Sequence, residues 1–266
     1  MRPFLCLAVM LLVVPAALAE APKKILLIGS APDSHPVGTH EYLPAMDLLA
    51  KLLKPVPGVE ATVVKADPAW KDGPELIGRS DAVVLFLTEG AAWLSADEAR
   101  LKAFQQLAAR SGGLAVIHWG SGTRDAKNIE AFVNLFGACH GGPDRKYKVV
   151  DASVRVLDPK HPVTAGIKDF TLHEEFYYAL KQPKTGNVTP LLHAEIEGKP
   201  EMVCWAWERP DGGRGFGFTG LHFHDNWKRE DYRRLMTQGI LWSAKVPTPR
   251  NLDVSVTETD LTLPRK

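Results

Sequence analysis

The stretch GFGFTGLHFHDNW, residues 215–227, predicts a buried strand that ends in a group of polar side chains. Glycine and aromatic residues alternate through its first half, and this period of two is typical of a strand. Polar and titratable groups are costly to bury without partners, so at the end of a core strand they more often face a cleft. In an open α/β sheet, ligands bind outside the carboxyl ends of the strands. We therefore expect this segment to deliver polar side chains to a ligand site.

The chain before this segment alternates short apolar runs with amphipathic segments. Strands are predicted over residues 24–29, 60–65, 81–87 and 114–118, and helices near residues 43–53, 95–108 and 127–135. The second of these helices is predicted to open with a capping box, Ser95-Ala-Asp-Glu98. This β-α-β-α-β order predicts a doubly wound parallel sheet with helices on both faces. Further strands over residues 148–157, 188–194 and 201–208 and a last helix near residues 230–244 complete one domain.

The sequence divides into three regions. Residues 1–19 combine a basic start, a short apolar run and the small-residue triplet 17–19, so they predict a secretory signal peptide that is cleaved after Ala19. Residues 20–250 form the α/β domain, and residues 251–266 form a polar tail that we expect to be an edge strand or disordered. We therefore expect a periplasmic or secreted protein with no membrane span once the signal peptide is removed.

Charge and cysteine content narrow the classes of partner. The 32 basic and 31 acidic residues give a net charge of +1, and no long basic run is present. We therefore expect neither nucleic acid nor an anionic membrane as a partner. After signal cleavage only Cys139 and Cys204 remain. The sequence leaves open whether they form a disulfide or stay as two buried thiols.

Five polar clusters follow predicted strands or lie in loops. They cover residues 34–42, 88–90, 118–123, 173–178 and 222–227. In a parallel sheet the first three and the last emerge at the same edge, because the carboxyl ends of parallel strands meet there. We expect one pocket that contains His118, His222 and Glu175 together with at least one residue of the first cluster. The glycine-rich residues 137–142 lack the strand-then-helix context of a phosphate loop and are discounted.

Motifs in and between these clusters resemble one family. They are His35-Pro-x-Gly-x-His40-Glu41-Tyr42, residues 117–123 (IHWGSGT), Asp158-Pro-x-His161-Pro162, Glu174-Glu175-Phe176-Tyr177, Gly220-Leu221-His222 and Gly239-Ile240-Leu241-Trp242. As a set, they make the chain similar to the trehalose-utilisation (ThuA-like) family, whose fold is that of the class I glutamine amidotransferases. The resemblance implies a three-layer, flavodoxin-like α/β sandwich with a mostly parallel central sheet, and a link to sugar metabolism.

Two departures from the wider pattern affect the chemistry. His118 occupies the strand-to-helix elbow where an amidotransferase carries its cysteine nucleophile, so glutamine hydrolysis through a thioester is excluded at this position. Glu174-Glu175 stands where relatives usually have Asp-Glu, and the resemblance implies that Glu175 is the functional position. We expect the elbow to expose the side chain of His118. His118, His222 and Glu175 are the candidate catalytic acid–base groups, because imidazole and carboxyl groups can transfer protons near neutral pH.

A divalent metal site is an alternative use of the same histidines. His222, His224 and Asp225 could supply a histidine–carboxylate ligand set, joined by His35 or His40. The sequence has no compact ligand signature such as His-Glu-x-x-His, so the cofactor is not determined.

A sugar ligand requires hydrogen-bonding groups and flat aromatic surfaces that stack on pyranose rings. The candidate binding residues are His35, His40, Glu41, Trp119, Tyr177, Asp225, Asn226 and Trp227. Trp119 and Trp227 are the candidate stacking platforms. Glu175 paired with Glu41 or Glu89 could also supply the two carboxylates of a glycoside hydrolase.

The sequence therefore predicts an exported enzyme, a hydrolase, lyase or isomerase, that acts on a carbohydrate or an oxidised sugar derivative. The alternative is a sugar-binding or accessory module without catalytic activity on an amidotransferase-like scaffold. A small carbohydrate is the expected ligand in both cases. Fold alone does not separate the two, because one scaffold hosts many functions. The number of histidines and carboxylates in the loops favours an enzyme.

Overall fold

The computed structural model describes residues 21–66 and 69–263, and the predicted signal peptide lies outside these residues. The strands are β1 Lys23–Gly29, β2 Val59–Lys65, β3 Ala82–Phe86, β4 Gly113–Ile117, β5 Gly122–Thr123, β6 His140–Gly141, β7 Lys146–Val156, β8 Phe170–Tyr178, β9 Val188–Ile196, β10 Lys199–Glu208 and β11 Arg214–Phe218. The α-helices are α1 Tyr42–Leu53, α2 Gly73–Gly78, α3 Gly90–Ser95, α4 Glu98–Ala109, α5 Ile129–Phe136, α6 Glu230–Ser243 and α7 Glu258–Leu261. Single 3-10 turns cover His118–Ser121, Ala126–Asn128 and His224–Lys228. None of the described helices is long and apolar enough to span a membrane.

Nine of the described strands form one sheet, in the order β2-β1-β3-β4-β11-β10-β9-β7-β8. The first five of these strands run parallel to one another. The remaining four extend the sheet through antiparallel pairs. The predicted α/β fold around a mostly parallel central sheet is confirmed, and it carries an antiparallel extension on one side. Strands β5 and β6 form a separate pair beside the elbow that follows β4.

The central strands are apolar from end to end because helices cover both faces of the sheet. Every residue of β3 and β4 is buried, as expected for parallel strands. On one face α1 and α6 contribute the fully buried Leu49 and Ile240. On the other face α4 and α5 contribute Phe104 and Phe136. Each such side chain stabilises the fold by roughly 1.5–3 kcal/mol, and the layers hold the carboxyl ends of β4 and β11 in place.

The glycines of the 215–227 segment leave room for indole rings of β10. Gly217 lies opposite Trp205 in the antiparallel pair. A Cβ atom on Gly217 would lie 2.0 Å from Cζ2 of Trp205. Phe216 and Phe218 point to the opposite face, where they join the core under α6. The alternation of glycine and phenylalanine therefore fills both faces of one strand.

Two predictions of local structure are wrong. Ser95 ends the short helix α3, and Asp97 caps α4 instead, with its side chain accepting a hydrogen bond from the backbone N–H of Arg100. Residues 173–178 lie within the nine-residue strand β8, not in a loop. The pattern of β8 was obscured because two adjacent glutamates, both buried, interrupt its apolar alternation.

The tail after residue 250 packs onto the domain. Leu252 and Val254 are buried in the same core as α1 and α6. Helix α7 then begins with a capping box between Thr257 and Asp260. Within residues 251–263 neither expected alternative, an edge strand or disorder, is found: no strand forms, and the apolar side chains of this segment pack in the core.

The two cysteines lie in different cores. Cys204 packs with the residues under α1 and α6, and Cys139 packs with those under α4 and α5. Both are buried and free. The sheet separates them, so of the two alternatives left open by the sequence the structure has two buried thiols.

Strand β8 returns to the carboxyl end of β11 although three strands separate the two in the sheet. The rings of Phe176 and Phe218 lie 6.3 Å apart, and the Glu174 carboxylate accepts a 2.8 Å hydrogen bond from the backbone N–H of Leu221. The antiparallel half therefore curls over the edge where the segments after β4 and β11 emerge.

Candidate active site

Four side chains from four separate segments converge at the carboxyl edge of the sheet. His40 lies just before α1, His118 follows β4, His222 follows β11 and Glu175 belongs to β8. One nitrogen or oxygen atom from each lies within 4.8 Å of those of the other three. The relative exposure of each residue is 9% or less. We call this set the histidine–glutamate cluster.

His118 has a left-handed backbone, with φ of 45° at the elbow after β4. Its Nδ1 lies 2.6 Å from the carbonyl oxygen of Thr219. A carbonyl oxygen only accepts, so Nδ1 carries the proton and donates it. The expectation that the elbow exposes this side chain is wrong: the ring is fully buried, because Thr219 and the stacked ring of Tyr177, 4.2 Å away, enclose it.

The three imidazoles of the cluster are held neutral. Burial lowers the pKa of His118 well below its usual value, and the neighbouring His40 and His222 lower it further. Burial is also the main cause of the lowered pKa of His40, and it lowers the pKa of His222 to about 3. A neutral imidazole keeps one nitrogen lone pair, so each ring can accept a proton or bind a cation.

Four of the eight described non-glycine residues with a positive φ lie in or beside the site. Left-handed φ values occur at His40 (51°), Glu89 (46°), His118 (45°) and Leu221 (75°), which directly precedes His222. Such conformations cost about 1–3 kcal/mol each in non-glycine residues and persist where the surroundings enforce them, often at active sites. Their coincidence with the three histidines supports a functional site here.

Asp33 orients His40. Its Oδ2 lies 2.9 Å from Nδ1 of His40 and accepts a 2.6 Å hydrogen bond from the Tyr42 hydroxyl. Burial alone would raise the pKa of Asp33, but hydrogen bonds from His40, Tyr42 and His35 hold it well below its usual value. An ionised carboxylate only accepts, so Nδ1 of His40 carries the proton and Nε2 faces the cluster. Asp33 was not among the residues predicted from the sequence, because a single loop aspartate outside the recognised motif has no distinguishing pattern.

The inward nitrogens of the three histidines lie close to one another. The Nε2 atoms of His40 and His118 lie 3.0 Å apart, although both rings carry their proton on Nδ1. Nδ1 of His222 lies 3.3 Å from Nε2 of His118 and 3.4 Å from Oε1 of Glu175. The same Oε1 lies 3.7 Å from Nε2 of His118. These four atoms could together hold a metal ion.

The two adjacent glutamates of β8 have different environments, because successive side chains of a strand point to opposite faces. Glu175 faces the cluster, and burial raises its pKa to about 7 against the opposing effect of His35. Glu174 is fully buried and accepts hydrogen bonds from six donors, among them the backbone N–H groups of Leu221 and His222. Burial raises the pKa of Glu174 to about 7, and these donors act against the rise. Glu174 therefore holds the loop that carries His222.

A pocket of about 120 Å³ opens beside the cluster. It is lined by His35, His40, Trp119, Arg124, His140, Arg145, Tyr147, Glu175 and Tyr177. Five of these nine were candidates from the sequence, whereas the two arginines, His140 and Tyr147 were not. The four missed residues lie in segments without a recognised motif, and their position in the fold alone brings them to the pocket.

Aromatic rings form one wall of the pocket. Tyr177 is stacked between His118 and His140, with ring centroids 4.2 and 3.9 Å away. The ring of Trp119 meets Tyr177 edge-on at 5.7 Å. Burial lowers the pKa of His140 to about 3, with a further contribution from Arg145. His140 lies in the glycine-rich segment 137–142, which was not a predicted site because it lacks the context of a phosphate loop.

Guanidinium groups form another wall. Arg124 pairs with Glu89, and its guanidinium carbon lies 5.3 Å from the ring centroid of Trp119. Nη1 of Arg145 donates a 3.2 Å hydrogen bond to the carbonyl of Gly142. Guanidinium groups bind carboxylate and carbonyl oxygens well because their donors are planar and charged. The pocket therefore suits a ligand with such oxygens.

The predicted metal set His222, His224 and Asp225 is not brought together. The chain turns into a 3-10 helix at His224, so the side chains diverge after His222. Nε2 of His224 lies 3.1 Å from the carbonyl oxygen of Leu261. Asp225 is exposed and forms a 2.6 Å ion pair with Lys228. The histidine–glutamate cluster replaces this set as the candidate metal site.

Three further candidates serve other contacts. Glu41 accepts a 2.8 Å hydrogen bond from the backbone N–H of Gly38. Asn226 donates a 3.0 Å hydrogen bond to Glu174. Trp227 is 1% exposed and packs in the core, so it cannot act as a stacking platform for a sugar.

Most of the chain, including the site, matches a known protein family. A family model described as ThuA, trehalose utilisation, matches residues 34–243. The chain belongs to the ThuA family. The predicted resemblance is thereby confirmed, and the family description points to a carbohydrate-related role. The ThuA match contains all four residues of the cluster, begins one residue after Asp33 and ends with the last residue of α6.

Three solved structures, two of them of ThuA-like proteins, share this fold. One from Bacteroides uniformis has a TM-score of 0.64 at 18% identity, over 86% of this chain and 95% of that chain. One from Parabacteroides merdae has a TM-score of 0.64 at 15% identity, over 86% and 92%. A cytoplasmic protein from Salmonella typhimurium has a TM-score of 0.57 at 16% identity, over 83% and 99%. At these identities the likeness establishes the fold alone. No curated protein matches the chain significantly.

Proposed function

We propose that this ThuA-family chain is an enzyme that acts on a carbohydrate or an oxidised sugar derivative, as a hydrolase, lyase or isomerase. The observation that carries the proposal is the convergence of three buried imidazoles and the Glu175 carboxyl group beside a pocket. A module that only binds sugar needs aromatic and hydrogen-bonding groups, but no buried set of titratable side chains. Such groups are costly to bury, so their convergence supports a catalytic use.

The lining of the pocket supports an oxidised sugar derivative as substrate. Trp119 lines the pocket with an indole ring that suits contact with a sugar ring. Tyr177 lines it with its edge only, because His118 and His140 cover both of its faces. Arg124 and Arg145 offer guanidinium donors that suit a carboxylate or keto oxygen. An oxidised sugar presents such an oxygen where an unmodified sugar has a hydroxyl group. In this proposal His40 and Glu175, the two cluster residues that line the pocket, contact the reacting atoms, and the pocket walls orient the ring.

The test is turnover of a panel of glycosides, keto-sugars and sugar acids by the purified chain of residues 20–266. We expect at least one member to be converted, and His222→Ala to slow that conversion roughly 100-fold or more. His173→Ala is the matched control, because His173 lies on β8 with its side chain 59% exposed, outside the cluster. A wild-type chain that binds members of the panel but converts none would instead support the non-catalytic sugar-binding module.

We also propose that the chain is exported to the periplasm or secreted after removal of residues 1–19. The support is the basic start, the short apolar run and the small-residue triplet 17–19. Amino-terminal sequencing of protein isolated from its natural host should begin at Glu20. Finding residues 1–19 intact would contradict export by this route.

A further inference from the structure

We propose that His40, His118, His222 and Glu175 bind a divalent first-row transition-metal ion such as Zn²⁺. The ligand atoms are Nε2 of His40 and of His118, Nδ1 of His222 and Oε1 of Glu175. All four lie within 4.8 Å of one another. This set keeps His222 and the optional ligand His40 from those that the sequence suggested, and it replaces His224 and Asp225 with His118 and Glu175.

Four of the six distances between these atoms are close to those of a coordination shell. Zn²⁺ binds imidazole nitrogen and carboxylate oxygen at about 2.0–2.2 Å, so two ligands of a tetrahedral site lie about 3.3 Å apart. In the cluster the two Nε2 atoms lie 3.0 Å apart. His222 Nδ1 is 3.3 Å from Nε2 of His118 and 3.4 Å from Oε1 of Glu175. The fourth distance, from Oε1 of Glu175 to Nε2 of His118, is 3.7 Å.

Hydrogen bonding leaves the inward nitrogens of His40 and His118 without protons of their own. The Asp33 carboxylate and the Thr219 carbonyl accept from Nδ1 of His40 and of His118. Each Nε2 then carries a lone pair, and two lone pairs 3.0 Å apart repel unless a cation lies between them. Metal-binding histidines commonly donate their other N–H to a carboxylate or a backbone carbonyl in this way.

The hydroxyl of Tyr177 does not satisfy Nε2 of His118 in the plane of the ring. It lies 3.0 Å from that nitrogen. The two rings are stacked, however, with an angle of 19° between their planes. The hydroxyl therefore approaches over the face of the imidazole, whereas the lone pair lies in the ring plane. The lone pair of Nε2, which lies in the ring plane, therefore still points towards His40 and His222.

The donor set indicates the class of metal. Three imidazole nitrogens and one carboxylate oxygen suit Zn²⁺ and related transition metals, whereas Mg²⁺ and Ca²⁺ prefer oxygen ligands alone. His40 and Glu175 also line the pocket, so the ion would be within reach of a bound ligand. There it would polarise a carbonyl or activate a water molecule. This catalytic use rests on the proposed function, but binding of the ion does not.

The experiment measures metal binding by the untagged chain of residues 20–266, stripped with a chelator and dialysed. Zn²⁺ is titrated calorimetrically, and Co²⁺ is followed by its visible absorption, which reports the coordination geometry. We expect one ion per chain and an affinity at least tenfold weaker in Glu175→Gln and in His222→Ala. His224→Ala is the matched control and should bind as the wild type does, because His224 contacts Leu261 instead of the cluster. Circular dichroism checks that each variant is folded, and the near-isosteric Glu175→Gln keeps the test valid should His222→Ala unfold.

Two results would overturn the metal site. One is a wild-type chain that binds neither ion. The other is unchanged affinity in both cluster variants, including the case where only His224→Ala weakens binding. Activity separates the site from the proposed function. A stripped chain that converts sugars fully and binds no ion would refute the metal site but support the proposed enzymatic function. A chain that binds one ion and converts no member of the panel would support the metal site but refute the proposed enzymatic function.

Discussion

His118 combines a left-handed backbone with complete burial, and each feature follows from its neighbours. The elbow turns the chain out of β4, and the carbonyl of Thr219 and the ring of Tyr177 then hold the imidazole in place. When a side chain held in this way is removed, its partners lose their hydrogen bond and their packing contacts. Its loss must therefore affect stability as well as chemistry.

We predict that His118→Ala and His118→Asn both lose activity but differ in stability. Alanine leaves a cavity and an unpaired, buried Thr219 carbonyl, so the free energy of unfolding should fall by roughly 1–3 kcal/mol. The amide of asparagine can still donate near the position of Nδ1 and should recover part of this loss. Urea unfolding and turnover of both variants give the comparison. Equal stability of the two variants would show that the bond to Thr219 contributes little.

Asp33 acts through His40 and is a positioning residue. We predict that Asp33→Asn weakens Zn²⁺ binding by roughly 10–100-fold, the usual effect of losing a partner that orients a metal ligand. The control is Asp47→Asn, an exposed position on α1, which should leave the affinity unchanged. Calorimetric titration of both variants provides the measurement. An unaltered affinity in Asp33→Asn would mean that His40 is oriented by other contacts.

At the scale of elements, β8 links the antiparallel half of the sheet to the loop after β11. Glu174 makes this link because its carboxylate accepts hydrogen bonds from six donors. We predict that Glu174→Gln lowers the free energy of unfolding by roughly 1–3 kcal/mol, because the glutamine NH₂ group would face donors and leave some of them unpaired. Activity should fall too, since His222 would lose its support. Glu195→Gln, an exposed change on β9, should stay within about 0.5 kcal/mol of the wild type in urea unfolding.

The start of α4 offers a direct test of its cap. Asp97→Ala should reduce the free energy of unfolding by about 1 kcal/mol, because the Asp97 carboxylate accepts from the backbone N–H of Arg100 at 2.7 Å. Ser95→Ala should be neutral or slightly stabilising, since the Ser95 hydroxyl is buried without a hydrogen-bond partner among the described residues. Thermal unfolding of the pair decides between them. The reverse order of stabilities would restore Ser95 as the cap.

At the scale of the whole molecule, the sheet divides the protein into two cores, and each contains one cysteine. Burial raises the pKa of Cys139 to about 12 and that of Cys204 well above its usual value. Thiols react as thiolates, so we predict that neither reacts with a thiol reagent in the folded chain of residues 20–266. Both should react at once in denaturant. A mass spectrum two hydrogen masses below that of the reduced chain would instead show a disulfide.

Local patterns predicted most of the parallel half. The runs at β3 and β4 are apolar throughout, as is that of β1 after Lys24, and their alternation with helices follows from periods of 2 and 3.6 residues. Strand β8 and the capping of α4 by Asp97 instead of Ser95 were not predicted. Both depend on contacts that form only in the folded chain. The glutamates of β8 appear polar in sequence, yet their partners lie about 50 residues away, as with Glu174 and His222 at a separation of 48.

The sequence by itself determined the family, the α/β order and the identity of three cluster members, His118, His222 and Glu175, because motifs and periodicity are local properties. Only the tertiary structure decided that His40 completes the cluster and that Asp33 orients it. It also decided that His224 and Asp225 turn away. The physical reason is range: the cluster depends on distances near 3 Å between residues 78 and 104 positions apart in the chain. Such distances are set by how the curled sheet brings its segments together, which no local pattern encodes.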